Sequence, residues 1–393
     1  MSQGSDLQQA VKRHQERFGA TGNVYAAPGR VNLIGEHTDY TGGLVMPMAI
    51  GFRSQAVATP RADGRAVFYS INFGEEAAYE LGGPDWTPRH HWSDYPAGVA
   101  WALMKQGVAL NGFSLSLSGD VPLGAGLSSS ASASVATAMA LLDHAGTTLS
   151  QREISALCRR AENEFVGAKT GVMDQFVVTG AVAHRAMLID TRSQEFELLP
   201  LPEDVKVVIA NSMVKHQLAH GEYGDRRDEV EQGQSAVQRR FPQVKLLRDA
   251  TLEQLVACAG DMSAASLARC RHIITENARV IEARAALLAG DMKRFGELMV
   301  EAHASMRDDF AASCEQVDTL VEIAMQQPEC FGARITGGGF GGCTVNMVQA
   351  DKVDGFVATL RREYRAAKGI EADCFVSEPS DGALALAAKE AAR

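Results

Sequence analysis

Positive charge is in short supply in this chain of 393 residues: 38 Lys and Arg face 48 Asp and Glu, leaving a net charge of −10. That deficit excludes a broad nucleic-acid or anionic-membrane surface, which needs clustered basic side chains. An anionic ligand must then be held locally, by helix termini, a metal ion and one or two basic groups. Cysteine is sparse as well. The seven cysteines are scattered, odd in number and never paired as Cys-x-x-Cys, which argues against a disulfide framework or a zinc site and predicts reduced thiols in a cytoplasm. No apolar run approaches the ~18 residues of a membrane span, and residues 6–18 read as a polar amphipathic helix, unlike the apolar centre of a signal peptide. A cytoplasmic, soluble monomer is the expectation, with weak self-association as the alternative.

What is present is an ordinary globular composition, 46% hydrophobic and 22% charged, on a chain long enough for two or three buried cores. Strand-like and helical periods alternate without an internal repeat. Strands are predicted at 23–27, 45–50, 52–59, 65–72, 113–119, 185–190, 206–210, 333–336 and 343–348. Ser150 and Glu153 form a capping box for a helix running to about Val166. Long helices are predicted at 222–240, 265–288 and 291–303, and apolar stripes at 317–325 and 353–364 mark two more. The run Leu199-Pro200-Leu201-Pro202-Glu203-Asp204 interrupts both periods and predicts an interdomain connection, dividing the chain into 1–202 and 203–393. The fold class is α+β, two domains meeting at a cleft suited to a small molecule.

Four segments carry chemistry. Gly124-Ala125-Gly126-Leu127-Ser128-Ser129-Ser130-Ala131-Ser132 joins the strand at 113–119 to a helical pattern from Val135. Glycines there let backbone approach a ligand, while serines cap the helix, offer hydroxyls and leave amides for an anion. This phosphate cradle lacks the Gly-Lys-Ser/Thr of a Walker A loop, and Ser129 breaks the dinucleotide fingerprint. Pro28 to Gly43 crowds Arg30, Asn32, Glu36, His37, Thr38, Asp39 and Tyr40 between glycines, a set of donors and acceptors suited to a polyol. Gly171-Val172-Met173-Asp174-Gln175-Phe176 sets a carboxylate among apolar residues. There Asp174 is either a helix N-cap or an acid kept ionised by a cation such as Arg30. Arg334 to Thr344 has five glycines in six positions, more than a two-residue hairpin needs; close approach to a phosphoryl group is the expected reason. Two other signals are discounted. His216-Gln217-Leu218-Ala219-His220 has the spacing of a zinc helix, but Gln217 replaces the glutamate base and no third ligand follows. Cys343 reads as core.

Residues 29–40, 122–131 and 336–342, in that order, resemble the three motifs of the GHMP kinases, and the first is similar to the galactokinase signature of that family. Ala161-Glu162-Asn163, Met173-Asp174-Gln175 and Glu222-Tyr223 resemble the family between them. The resemblance implies an N-terminal domain like ribosomal protein S5 domain 2 and a ferredoxin-like C-terminal domain with the site in the cleft between them. It implies MgATP-dependent phosphorylation of galactose at its anomeric hydroxyl. Glu36, His37, Thr38 and Asp39 would bind the sugar, with Tyr223 reaching in from the second domain. Asp174 would be the catalytic base and Arg30 would stabilise transition-state charge. Gly124, Ala125, Gly126, Leu127, Ser128, Ser129 and Ser130 would cradle ATP, while Ser130 and Glu162 would coordinate Mg²⁺. Trp92-Ser93-Asp94-Tyr95 is similar to the family's adenine-side segment. The alternatives are a kinase for N-acetylgalactosamine or arabinose, or a non-catalytic sensor of galactose and ATP on the same fold.

Overall fold

Strand and helix alternate along the chain, and most of the predicted elements are found, although helices at Asp94–Lys105, Met173–Gly180 and Leu252–Ala257 were not anticipated. The structure, a computed structural model, describes residues 3–83, 86–214, 219–384 and 386–387. The first half runs α1 (Gln3–Phe18), β1 (Val24–Asn32), β2 (Leu44–Val45), β3 (Pro47–Pro60), β4 (Arg65–Ser70), β5 (Glu75–Glu80), α2 (Asp94–Lys105), β6 (Phe113–Gly119), α3 (Ser129–His144), α4 (Gln151–Arg160), α5 (Met173–Gly180), β7 (Arg185–Asp190) and β8 (Glu195–Pro200). The second continues with β9 (Val205–Asn211), α6 (Ala219–Arg240), α7 (Leu252–Ala257), α8 (Ala264–Leu288), α9 (Met292–Asp308), α10 (Glu315–Met325), β10 (Cys330–Thr336), β11 (Cys343–Gln349), α11 (Val353–Lys368) and β12 (Asp373–Ser377).

The first half is built on a five-stranded sheet ordered β1-β3-β6-β4-β5, in which only the β4–β6 pair is parallel. In β6, Phe113 and Leu115 enter the core beneath α3, while Ser114 and Ser116 of the opposite face are also buried. For Ser116 the reason is α1, whose His14 lies 2.7 Å from the Ser116 hydroxyl and 2.9 Å from that of Thr59. Burial pushes His14 down to about 4, so it is neutral there. The strands expected at 45–50 and 52–59 are one continuous β3, because Gly51 is tolerated within an extended run that pairs first with β1 and then with β6. In β1 the register slips between Pro28 and Arg30. This bulge at Gly29 re-aims Arg30, a common use of bulges beside sites.

Three strands escaped the ranges read from sequence. β5 (Glu-Glu-Ala-Ala-Tyr-Glu) alternates too weakly to signal itself, and β12 had no predicted boundaries. β8 runs through Pro200, so the connection begins two residues later than expected. Proline fits there because β8 is the edge of the β2-β7-β8 sheet, where a missing N–H breaks no ladder.

The second half carries an antiparallel sheet ordered β10-β11-β9-β12. β9 is apolar on both sides. Val207 and Ile209 pack with Val280 and Phe295 of α8 and α9, while Val208 and Ala210 pack with Leu320 and Phe356 of α10 and α11. The core around Val207 continues into Val31, Met46 and Met48 of the first half, so the two halves share apolar burial. The chain also returns. Ser380 N–H donates to Ala49 O at 3.0 Å, Gly382 N–H to Ala181 O at 2.8 Å, and Ala383 joins the first half's core.

Candidate functional site

The β1 bulge and the first turn of α5 bring together residues 144 apart. Arg30 Nε donates to Asp174 Oδ1 and Nη2 to Oδ2, both at 2.7 Å. This bidentate pair is the strong, directional form of an ion pair. Arg30 is 6% exposed, and its Nη1 donates to Gly126 O at 2.5 Å. Of the two readings of Asp174 the helix cap is ruled out: Val172 holds the N-cap position without a side-chain cap, and the carboxylate faces Arg30.

On one side of the pair lies a pocket of about 180 Å³, lined by Arg30, Glu36, His37, Asp39, Thr170, Gly171, Met173, Asp174, Tyr223, Gly337 and Gly338. That is several water volumes at about 30 Å³ each, and every lining residue is polar or glycine except Met173. Burial raises the Glu36 carboxyl, against Arg334, Arg30 and the Gly337 N–H, which donates at 2.8 Å. Burial and the neighbouring Asp174 push Asp39 up to about 6 despite Arg30. Burial and His272 push His37 down to about 3, so the imidazole is neutral and offers one donor and one acceptor. Its ring stacks on Phe310 at 4.1 Å and its Nδ1 lies 3.2 Å from the Tyr40 hydroxyl. Tyr223, from α6, closes the wall, with its ring 5.4 Å from that of His37. Thr38 does not reach the pocket. Its hydroxyl is 2.9 Å from Gly35 O and 2.6 Å from Leu44 O, so it staples the loop from inside.

On the other side, the turn 123–128 leads into α3. Ala125 and Leu127 are core residues there, present by their backbone alone. The serines do not cap α3 as expected. Ser128 holds the N-cap position at φ 59°, ψ 44° and makes no cap bond; its hydroxyl donates to Asp174 Oδ2. The helix's first N–H groups therefore receive no side-chain cap from Ser128, an arrangement able to accept an anion. Ser129 and Ser130 line a second, mostly apolar cavity of about 220 Å³ with Phe73, Trp92 and Tyr95. Ser93 and Asp94 turn away from it; Asp94 accepts from the Arg89 N–H at 2.9 Å. Glu162 sits in a wide turn, Ala161–Val166, that ends α4, the kind of π-type turn that often marks a site. Burial and Asp174 push Glu162 up to about 7, while the hydroxyls of Ser130 and Thr170 oppose this. Gln175 Nε2 donates to Glu162 Oε2 at 2.5 Å.

The glycines of 337–342 have a different reason from the expected phosphoryl approach. A Cβ on Gly337, Gly341 or Gly342 would come within 3.0 Å of backbone oxygens of Gly126, Val214 or Ala125. Most of this loop is glycine so that it can pack on protein. His216 and Gln217 lie outside the described residues, as does the side chain of His220. Cys343 is buried core, as expected. Among the described residues no helix is long and apolar enough to cross a membrane, and no group of three or more His, Cys, Asp or Glu could hold a metal ion.

Several residues behind the pocket gave no signal in the sequence. Glu276 of α8 accepts from Gly35 N–H at 2.8 Å and pairs with Arg279 at 2.7 Å. His272 Nε2 is 3.1 Å from Glu36 O, and fully buried Arg334 lies 3.7 Å from the Glu36 carboxylate. On a helix, a buried acid and a solvated one look alike in the sequence.

Comparisons with known proteins point to one family. Three family models match: the galactokinase galactose-binding signature over residues 12–60, the GHMP kinase N-terminal domain over 94–181 and the GHMP kinase C-terminal domain over 283–366. Galactokinase of Roseiflexus sp. is 39% identical over 96% of this chain and 96% of its own. That of Chloroflexus aurantiacus is 39% identical over 93% of this chain and 94% of its own. The crystal structure of Lactococcus lactis galactokinase complexed with galactose superposes with a TM-score of 0.91 at 32% identity, covering 96% of this chain and 99% of that one. A mevalonate kinase shares the fold alone, with a TM-score of 0.65 at 18% identity over 91% of this chain and 98% of its own. Matched to such relatives over nearly its whole length, the chain belongs to the galactokinase family of the GHMP kinases.

Proposed function

We propose that this chain transfers the γ-phosphoryl group of ATP to the anomeric C1 hydroxyl of α-D-galactose, giving galactose 1-phosphate and ADP. The observation that carries the reading is the position of Asp174. It lines the sugar-sized pocket and accepts a hydrogen bond from Ser128 of the serine-rich turn, so one carboxylate touches both reactant spaces. Phosphoryl transfer needs positioning and charge neutralisation more than covalent chemistry. Glu36, Asp39, neutral His37 and Tyr223 supply acceptors and donors for sugar hydroxyls. Asp174, held by two Arg30 donors, orients the C1 hydroxyl and takes its proton as the new bond forms. Arg30 places a fixed positive charge where phosphoryl charge accumulates. The N–H groups of α3 face the phosphates, and the Trp92 and Tyr95 cavity suits the adenine ring.

The donors near Glu162 fit Mg²⁺. The Glu162 carboxylate and the Ser130 hydroxyl are hard oxygens, and the ion takes only one or two protein ligands. Burial first and nearby Asp174 second push the Glu162 carboxyl up, and a divalent cation beside it would favour its charged form. Held by Glu162 and Ser130, Mg²⁺ would supply positive charge that neutralises the phosphates.

Replacing Asp174 tests the assignment. Asp174→Asn is expected to lower kcat by roughly 10²–10⁴-fold, while calorimetry finds galactose bound within about fivefold of the parent. Near-normal turnover would remove Asp174 from the mechanism. A coupled ADP-release assay with galactose, N-acetylgalactosamine and arabinose then tests the acceptor, with galactose expected to turn over fastest.

A further inference from the structure

Among the described residues, Ser128 is the serine or threonine at a helix N-cap that lies in the left-handed region; Ser93 and Thr38 also lack a cap bond but have right-handed backbone. Ser150, Thr251 and Ser263 are extended, at ψ 165°, 162° and 157°, and each accepts a hydrogen bond from its helix. Ser128 instead sits in the left-handed region, at φ 59°, and caps nothing. That conformation penalises any Cβ and suits glycine. Here glycine would cost less, yet the chain keeps a hydroxyl. The inversion has one visible product: it turns the 8%-exposed side chain inward, onto Asp174 Oδ2.

The two residues before Ser128 grip the ion pair as well. Gly126 O accepts from Arg30 Nη1 at 2.5 Å and Leu127 O from the Arg30 N–H at 3.1 Å. Arg30 holds Asp174 from one side and Ser128 from the other, so the turn expected to face the nucleotide is tied to the acid expected to act on the sugar. Strain that persists at a site is retained where the surrounding structure uses it.

We propose that Ser128 is a positioning residue that fixes the Asp174 carboxylate from the nucleotide side. This rests on the reading of Asp174 given above. Ser128 serves kcat through Asp174, and its hydroxyl is not a ligand of the phosphates.

The test is a double-mutant cycle with a stability readout. In Ser128→Gly, kcat falls by about 10–100-fold, in line with loss of one positioning bond, while KM for ATP and the galactose Kd stay within about threefold. Because glycine relieves the left-handed strain, the melting temperature is no lower than the parent's. Ser128→Ala loses as much kcat and melts below the glycine variant, since it keeps the Cβ without the bond. In an Asp174→Asn background, Ser128→Gly costs nothing further. Three results overturn the proposal: kcat within twofold of the parent in Ser128→Gly, a tenfold rise in KM for ATP, or an undiminished penalty in the Asp174→Asn background. Near-normal turnover of Asp174→Asn alone sinks the reading of Asp174 itself, whereas an inactive Asp174→Asn beside an unaffected Ser128→Gly sinks only the role of Ser128.

Discussion

Two glycine-rich loops meet behind Arg30, and their compositions conceal opposite physics. In 337–342 the glycines make room for protein: an added Cβ would run into the backbone of 125–126, 214 or 312. In the turn before α3, Gly124 stands at φ +70° with nothing within 4 Å of where its Cβ would be. One loop is glycine because backbones touch, the other because the chain turns left-handed beside open space. Gly171 is a third kind, since its Cβ would overlap the Asp39 carboxylate; it makes room for a functional side chain. The lesson is that glycine density alone does not locate a ligand.

Substitution by alanine separates the three. Gly339→Ala has the largest expected effect, because φ is +88° and the methyl would overlap Ala312 O. A loss of about 4 kcal/mol or more is expected, combining strain with an immovable clash. It is read as a lower denaturation midpoint and poor soluble yield; a parent-like midpoint would mean the two loops do not pack as described.

Gly171→Ala comes next. Here φ is ordinary, so the cost falls on Asp39 and not on the backbone. Galactose binding is expected to weaken by at least about a hundredfold, since displacing a buried hydrogen-bonding carboxylate forfeits its bonds. Binding of an ATP analogue should change less than threefold. Equal losses of both ligands would show a general collapse of the cleft.

Asp39 itself sharpens the contrast through pH. Its folded value is about 6, raised from 3.8 by burial and Asp174. Between about pH 4 and 6 the folded chain keeps a proton that the unfolded chain has released. This group's contribution therefore falls as pH rises through that window, by roughly 2 kcal/mol, and then levels off. Glu162, raised to about 7, adds a slope of the same sign. Asp39→Asn should flatten the fall in unfolding free energy between pH 4 and 7 by the Asp39 share. An unchanged slope would place Asp39 in water.

Much of this site was legible because its chemistry is dense along the chain. Arg30, Glu36, His37 and Asp39 crowd one loop, and Asp174 is conspicuous among apolar neighbours. Thr38 was misplaced for the same reason: a residue in a functional run can serve the loop's own carbonyls. Ser128 was read as a cap or phosphate ligand because a serine before a helix usually caps it, and nothing in the sequence reveals a left-handed φ. Glu276, His272 and Arg334 were silent because their partners are hundreds of residues away or on another face, where local periodicity carries no information. Among the strands, β6 announced itself by alternating serine and leucine. β5 and β8 did not, since an edge strand with two or three glutamates reads as solvated coil.

Gly124→Ala closes the series with the smallest effect and needs a matched control. Gly64, in the turn between β3 and β4, shares its geometry: φ is +68° and nothing lies within 4 Å of the added carbon. Both alanine variants should lose about 1 kcal/mol, the usual cost of placing a Cβ in the left-handed region. They diverge only if the space beside Gly124 is used. Gly124 stands in the turn that leads into the uncapped start of α3, so KM for ATP should rise about three- to tenfold in Gly124→Ala and stay unchanged in Gly64→Ala, with galactose Kd constant in both. Matching stability losses with no difference in KM would reduce Gly124 to a turn residue, and would leave the amides of α3 as the turn's only claim on a nucleotide.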